Sequence, residues 1–130
     1  RTFSSAASDV YKRQIFFSSI AGSKGLSNHE VISAAKGGIE GFARSAAATY
    51  AKDNLRVNVI APSIMDSNMS QKILSSDTAR EVSKNMHPIS KIGNSDDILP
   101  VVKWLLSTDA QWVTGQTIHV DGGLSTVKPR

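Results

Sequence analysis

The pattern of apolar and polar positions along the chain predicts an alternation of strands and helices. Short apolar runs at residues 14–19 and 56–61 are typical of strands covered on both faces. Between them, from Glu30 to about Lys52, apolar residues recur at steps of three and four, which predicts an amphipathic helix. The members of this predicted stripe are Ile32, Ala35, Ile39, Phe42, Ala43, Ala46 and Tyr50. A last strand is predicted at residues 117–121, ended by two glycines.

Polar residues mark the predicted starts of the helices. Ser27 and Glu30 have the spacing of a capping box, so Ser27 is expected to cap the first helix. The stretch Ser95-Asp96-Asp97 predicts the start of another helix. The buried stripe of that helix is expected to be Ile98, Val101, Val102, Leu105 and Leu106. Residues 64–86, between these helices, are predicted to be irregular or partly helical.

Gly37 and Gly38 lie side by side in the interior of the first predicted helix. Each glycine costs about 1 kcal/mol relative to alanine in a helix interior. The pair therefore suggests that another backbone approaches the helix closely, although helices also tolerate such glycines without a packing reason.

The order of strands and helices predicts an α/β fold with a parallel sheet. Composition agrees with one globular domain, because 40% of the 130 residues are hydrophobic and 20% are charged. The net charge of +4 is spread along the chain, which argues against nucleic acid as a partner. The chain has no cysteine and no apolar run near the ~20 residues that span a bilayer. We therefore expect no metal site, no membrane contact and a cytoplasmic location.

The first 13 residues are rich in serine and show no helical or strand period. Residues 8–14, SDVYKRQ, resemble translated sequencing-adapter DNA. Residues 1–13 are therefore predicted to be a non-native or disordered leader, residues 14–126 a folded unit and residues 127–130 a tail.

Four features together resemble the carboxy-terminal half of the short-chain dehydrogenase/reductase family. They are Ser19, Lys36 within AAKGG, the stretch from Arg56 to Ser67, and the ending Val120-Asp121-Gly122-Gly123. The resemblance implies a Rossmann-like, doubly wound parallel sheet, truncated to its last three strands with flanking helices. It also implies an oxidoreductase that uses NAD or NADP on an alcohol/carbonyl pair, a small-molecule substrate and a homo-oligomer. No glycine-rich turn for pyrophosphate occurs in the chain, so we expect the isolated chain to bind neither cofactor appreciably.

The family's site uses a Ser, a Tyr thirteen residues later and a Lys four residues after the Tyr. Ser19 and Lys36 match the first and last of these positions, but position 32 is Ile. Ile32 has no proton to exchange, whereas the family's Tyr gives or takes the substrate proton with help from the neighbouring ammonium. His29 lies one helical turn earlier and is an alternative acid, although a surface or capping role fits it better. A non-catalytic binding or assembly protein of the same fold is the alternative function.

The resemblance also implies which residues hold the cofactor. Lys36 would hold the nicotinamide ribose, while Pro62, Ser63, Met65 and Ser67 would lie along the carboxamide. Ser63 stands where the family usually has Gly, so its side chain could hinder a close approach of the cofactor.

Three methionines, Met65, Met69 and Met86, lie in the segment that would cover the site. They suggest either contact with an apolar ligand or, as the better interpretation, filling of the hydrophobic core. The substrate, and the choice between NAD and NADP, are not determined by these residues.

Overall fold

The computed structural model describes residues 12–130 and shows three parallel strands flanked by helices. In chain order the elements are β1 (Lys12–Phe17), α1 (Glu30–Tyr50), β2 (Leu55–Pro62), α2 (Asp77–Met86), α3 (Ser95–Leu106) and β3 (Thr117–Val120). Strand β2 lies in the centre of the sheet and pairs in parallel with both neighbours. The α/β class and the parallel sheet predicted from the sequence are confirmed.

The core is divided between the two faces of β2, because successive side chains of a strand point to opposite sides. On one face Val57 and Val59 pack against Ala43 and Ala47 of α1. On the other face Ile60 packs against α3. The sheet is thus covered by one helix on each side, which explains why β2 is apolar along nearly its whole length.

Strand β1 begins at Lys12, inside the segment predicted to be a leader. Lys12 and Arg13 pair with Leu55 and Arg56 of β2, so these two residues belong to the sheet. Residues 1–11 lie outside the described part of the chain, and their non-native origin stays a prediction.

Both predicted helix caps are displaced by one or two residues. The residue that precedes α1 is His29, which makes no side-chain capping hydrogen bond, so the predicted capping box of Ser27 and Glu30 is wrong. Asn28 adopts a left-handed conformation with φ of 60°, and this turn separates Ser27 from the helix. Helix α3 is capped by Asn94, whose side chain accepts from the Asp96 amide at 2.8 Å, rather than by Ser95.

The buried face of α1 differs from the predicted stripe. Glu40, Ala43 and Ala47 are buried, whereas Phe42 is 60% exposed and Tyr50 is 47% exposed. Small side chains let the helix lie close to β2, and this close packing turns the larger apolar residues outward.

Two of the three methionines do not fill the core. Met69 and Met86 are 95% and 50% exposed, so core filling is the wrong interpretation for both. Met65 is partly buried and packs against the cluster formed by Ile60, Ile98 and Leu105, as that interpretation requires.

The paired glycines of α1 have different surroundings. A Cβ atom added to Gly37 would lie 3.1 Å from the carbonyl oxygen of Gly22, in the turn that follows β1. A Cβ added to Gly38 would meet no atom within 4 Å. The close backbone approach suggested by the sequence is therefore present at Gly37, and Gly38 has no such packing reason.

We expect Gly38→Ala to raise the free energy of unfolding by about 1 kcal/mol, because alanine favours the helix and its methyl group meets nothing. Gly37→Ala gains the same helix propensity, but its methyl group crowds the Gly22 carbonyl oxygen. The free energy of unfolding of Gly37→Ala should therefore be lower than that of Gly38→Ala. Urea unfolding of the two variants, matched in chemistry and adjacent in sequence, measures the difference. Equal stabilisation by both would show that the Gly22–Gly37 contact does not constrain the fold.

The chain leaves β3 through a tight turn organised by Asp121. Gly122 and Gly123 have φ of 58° and 90°, a region that favours glycine. The Asp121 carboxylate accepts hydrogen bonds from the amides of Gly123 at 2.9 Å and Ser125 at 3.0 Å, and from the Ser125 hydroxyl. Burial alone would raise the pKa of Asp121, but these hydrogen bonds hold the pKa below its ordinary value.

We expect Asp121→Asn to lower the free energy of unfolding by about 1–3 kcal/mol at pH 7, because charge-assisted hydrogen bonds are weakened. A carboxyl whose pKa is lower in the folded state stabilises the protein above its unfolded pKa, and this stability is lost as pH falls through the folded pKa. The difference between wild type and variant should therefore shrink on acidification below about pH 4. Thermal unfolding from pH 3 to pH 7 tests this. Asp109→Asn is the control, since the Asp109 carboxylate makes no hydrogen bond within residues 12–130.

Candidate active site

Ser19 lies at the carboxyl edge of the sheet, just after β1. The Ser18 amide donates to the Ile60 carbonyl at 2.9 Å, which continues the β1–β2 register and brings Ser19 level with Pro62. Ser19 begins the short 3-10 turn Ile20–Gly22, and its hydroxyl oxygen accepts from the Ala21 amide at 3.1 Å. The hydroxyl proton is not used in that bond, so it can still be donated to a ligand oxygen.

Lys36 lies on α1 beside the same turn. A Cβ added to Gly22 would be 3.1 Å from the Lys36 carbonyl carbon, so the turn begun by Ser19 touches the helix backbone at Lys36. Lys36 is half-buried, and its amine makes no ion pair or hydrogen bond within residues 12–130. The structure thus brings the two predicted catalytic positions, Ser19 and Lys36, to one end of the fold.

Ile32 lies one helical turn before Lys36 and is 44% exposed. Residues four apart share a helix face, so the side chain beside the Lys36 amine is apolar. The alternative acid His29 is exposed, and its Nδ1 is 2.7 Å from the Ser27 carbonyl oxygen. Within the described part of α1, no side chain replaces a phenol next to Lys36.

Ser63 makes the most buried side-chain contact of the predicted cofactor residues. Its Oγ is 2.7 Å from Nε2 of His87, a residue that is only 4% exposed. The other ring nitrogen, Nδ1, is 2.7 Å from the Ser83 carbonyl oxygen. Because a carbonyl oxygen only accepts, Nδ1 carries a hydrogen, and in this tautomer Nε2 is the nitrogen that can accept from the Ser63 hydroxyl.

The other predicted cofactor residues follow Pro62, which ends β2 beside Val120 of β3. Met65 forms an isolated parallel bridge to Gly93, which ties this segment to the start of α3. Ser67 caps the short turn Asn68–Ser70, with its amide donating to the Ser70 hydroxyl at 3.0 Å. The Ser67 hydroxyl is 3.4 Å from that of Ser70, so in the structure Ser67 has a local capping role.

A cavity of about 230 Å³ lies at the carboxyl edge between the ends of β2 and β3. Ser63, His87 and Val120 contribute to its wall, as do Lys91 and Asp97, whose side chains form an ion pair at 2.7 Å. The hydrogen bond from the Lys91 ammonium, together with that from the Asn94 amide, holds the pKa of Asp97 below its ordinary value.

His87 is the residue that the sequence patterns missed. It lies at the carboxyl end of α2, 24 positions from Ser63, and no periodicity connects the two. The single available signal is the Ser at position 63, which adds a hydroxyl where the family resemblance has Gly.

No group of three or more His, Cys, Asp or Glu side chains is arranged to hold a metal ion in residues 12–130. None of the described helices is both long and apolar enough to cross a membrane.

Comparison with known proteins identifies the family. A family model described as enoyl-(acyl carrier protein) reductase matches residues 5–125. The 3-oxoacyl-[acyl-carrier-protein] reductase MabA of Mycobacterium tuberculosis is 33% identical over 114 residues, which cover 88% of this chain and 45% of MabA. The chain spans less than half the length of the first curated relatives that it matches.

Solved structures agree with the sequence comparisons. A short-chain type dehydrogenase/reductase from Mycobacterium ulcerans superposes with a TM-score of 0.82 at 27% identity, covering 88% of this chain and 42% of that one. A variant of ElxO with one tyrosine changed to phenylalanine, solved with NADPH bound, gives a TM-score of 0.79 at 26% identity, covering 86% and 46%. The parallel sheet and these matches together show that the chain belongs to the short-chain dehydrogenase/reductase family.

Proposed function

We propose that the complete protein is an NAD(P)-dependent oxidoreductase that interconverts an alcohol and a carbonyl compound. The observation that carries this proposal is the contact of the Ser19 turn with α1 at Lys36. This contact supports a site in which the Ser19 hydroxyl and the ammonium of the half-buried Lys36 act at the same end of the sheet. A hydroxyl donor orients a substrate oxygen, and an ammonium stabilises negative charge that develops there.

The residues at the carboxyl edge fit the nicotinamide end of a dinucleotide. The Lys36 amine has no partner within residues 12–130, so its three donors remain available to ribose hydroxyls. Pro62, Ser63, Met65 and Ser67 would lie along the carboxamide. The cofactor, when bound, supplies or accepts the hydride. A cradle for the pyrophosphate is not present among the described residues, which is why the proposal concerns the complete protein.

Ile32 gives the proposal its chief difficulty, since it supplies no proton at the position of the family's Tyr. Cofactor binding does not require that proton. The ElxO variant described above has NADPH bound although one of its tyrosines is replaced by phenylalanine, which supports cofactor binding without every tyrosine hydroxyl.

A non-catalytic binding or assembly protein is the second candidate, and Ile32 is the observation that favours it. A fold that had lost its proton carrier could keep Ser19 and Lys36 for binding alone. Assembly into a homo-oligomer, a small-molecule substrate and a cytoplasmic location are part of the main proposal and stay predictions.

Titration calorimetry with NADH and NADPH tests the cofactor assignment. We expect the complete protein to bind one of them, and the 130-residue chain to bind neither, because Lys36 and the residues after Pro62 reach only the nicotinamide end. Micromolar binding by the 130-residue chain would contradict the boundary of the site. No binding by the complete protein would contradict the oxidoreductase assignment.

Restoring the phenol tests the role of position 32. In the complete protein, Ile32→Tyr should raise ketone reduction, by up to about 10²–10⁴-fold if the hydroxyl is well placed. Adding Lys36→Ala should remove the gain, because the ammonium favours the phenolate. Steady-state assays on a panel of small ketones measure both effects.

Val31→Tyr is the matched control, since Val31 is 85% exposed and is not on the face that Ile32 shares with Lys36. It should leave the rate unchanged. An equal gain from Val31→Tyr would contradict the site assignment. No gain from Ile32→Tyr in a folded protein would favour a site that no longer accommodates the phenol or that uses a different proton donor.

A further inference from the structure

A hydroxyl–imidazole pair lies at the carboxyl edge of the sheet, apart from Ser19 and Lys36. The Ser63 hydroxyl donates to Nε2 of His87, and Nδ1 of His87 donates to the Ser83 carbonyl. Both contacts are 2.7 Å, and the ring is 4% exposed. A nucleophile or proton carrier next to a base, with the base held by a third group, is the arrangement that activates a hydroxyl.

The other two histidines of the chain do not share this setting. His29 is exposed and contacts a carbonyl of its own loop. His119 pairs with the Ser23 hydroxyl at 2.9 Å, but that contact is exposed and lies outside the cavity wall. His87 is buried and, together with Ser63, contributes to the wall of the 230 Å³ cavity.

The pair is close to the predicted site along the sheet. Ser19 is level with Pro62 in the β1–β2 register, so Ser63 is the next residue on the neighbouring strand end. Adjacent strands are roughly 4.8 Å apart. A substrate oxygen held over the ends of β1 and β2 is therefore within side-chain reach of both serines.

We propose that Ser63 and His87 carry the substrate proton that no residue at position 32 can carry. The proposal rests on the oxidoreductase function proposed above and adds its acid–base group. Imidazole is suited to this role because one ring nitrogen can accept a proton while the other keeps its own hydrogen bond. The hydroxyl at position 63 connects the buried ring to the substrate.

The reaction balances in both directions. In alcohol oxidation, the substrate hydroxyl gives its proton to Ser63 Oγ while the Ser63 proton moves to Nε2 of His87. The cofactor, when bound, would accept the hydride of the carbinol C–H bond as the C=O bond forms. The ring is left as imidazolium, held through Nδ1 by the Ser83 carbonyl, and releases its proton to water. Carbonyl reduction by NAD(P)H is the reverse sequence.

Three variants of the complete protein test this relay. Ser63→Gly removes the hydroxyl, Ser63→Thr keeps it, and His87→Gln removes the base. The control is His119→Gln, which breaks the other serine–histidine hydrogen bond, to Ser23, and has no part in the relay. Cofactor affinity is measured by NADPH and NADH fluorescence. Hydride transfer is followed as NAD(P)H absorbance in single turnovers with 2-butanol, cyclohexanol and 1-phenylethanol.

We expect His87→Gln to slow hydride transfer by about 10²–10⁴-fold while cofactor affinity changes less than about threefold. Ser63→Gly should slow hydride transfer to a similar extent, and its effect on cofactor affinity is measured separately because Ser63 is also proposed to lie along the carboxamide. Ser63→Thr should keep most of the rate, and His119→Gln should keep all of it. A merely structural role of His87 would lower affinity and rate together in His87→Gln.

The outcomes separate this proposal from the function on which it rests. Failure of the complete protein to bind either cofactor overturns both. Cofactor binding without turnover of any alcohol overturns the relay alone, because a positioned proton carrier requires turnover. Full activity of Ser63→Gly also overturns the relay. This variant can be measured even if His87→Gln fails to fold, because glycine is the residue usual in the family at position 63.

Discussion

The backbone contact between the turn after β1 and helix α1 is the constraint on which the site depends. A Cβ atom added to residue 37 would lie only 3.1 Å from the Gly22 carbonyl oxygen. The turn and the helix therefore meet here without a side chain between them. Ser19 begins that turn and Lys36 directly precedes Gly37. The separation of Ser19 and Lys36 is therefore set by two rigid backbones in van der Waals contact. Such a contact resists small displacements more strongly than flexible side chains do.

The opposite end of the sheet is held by buried polar side chains of β2. The Arg56 guanidinium donates to the carbonyls of Leu105, Ser107 and Val113, and thereby satisfies the end of α3, where helix carbonyls lack partners. Asn58 donates to Val113 at 2.9 Å and accepts from the Gln116 amide at 3.1 Å. These bonds join β2, α3 and the chain entering β3. These bonds fix the amino end of the sheet, whereas Ser19 and Ser63 lie in turns at its carboxyl edge.

Sequence patterns predicted those parts of the fold that depend on local periodicity. Strand β2 and helix α3 could be predicted because burial on both faces, or on one stripe, leaves a regular apolar pattern. The start of α1 at Glu30 was predicted as well, but its cap could not be, because a left-handed Asn28 separates Ser27 from the helix despite the capping-box spacing. The exposed Phe42 shows a second limit, since its helical spacing is correct but the packing of α1 on β2 selects small residues instead.

The candidate site was predictable to the extent that its residues are close in sequence. Ser19, position 32 and Lys36 follow a fixed spacing, so one strand end and one helix determine them. The contact of Ser63 with His87 joins residues 24 positions apart through the folding of α2 back onto the strand end. No spacing rule describes such a contact.

The position of His87, more than its hydrogen bonds, distinguishes a chemical role from a purely structural one. A buried imidazole must have partners for both nitrogens, and Ser63 and the Ser83 carbonyl satisfy this requirement whether or not any reaction occurs. A histidine with only a structural role does not need to border a cavity. His87 instead borders a cavity at the edge where parallel α/β sheets place their ligands, and its hydroxyl partner occupies the strand end next to Ser19. A proton carrier needs to reach the substrate oxygen and does not need to share a helix with Lys36. Under the proposal above, Ser63 and His87 therefore give the proton a route that does not pass through position 32.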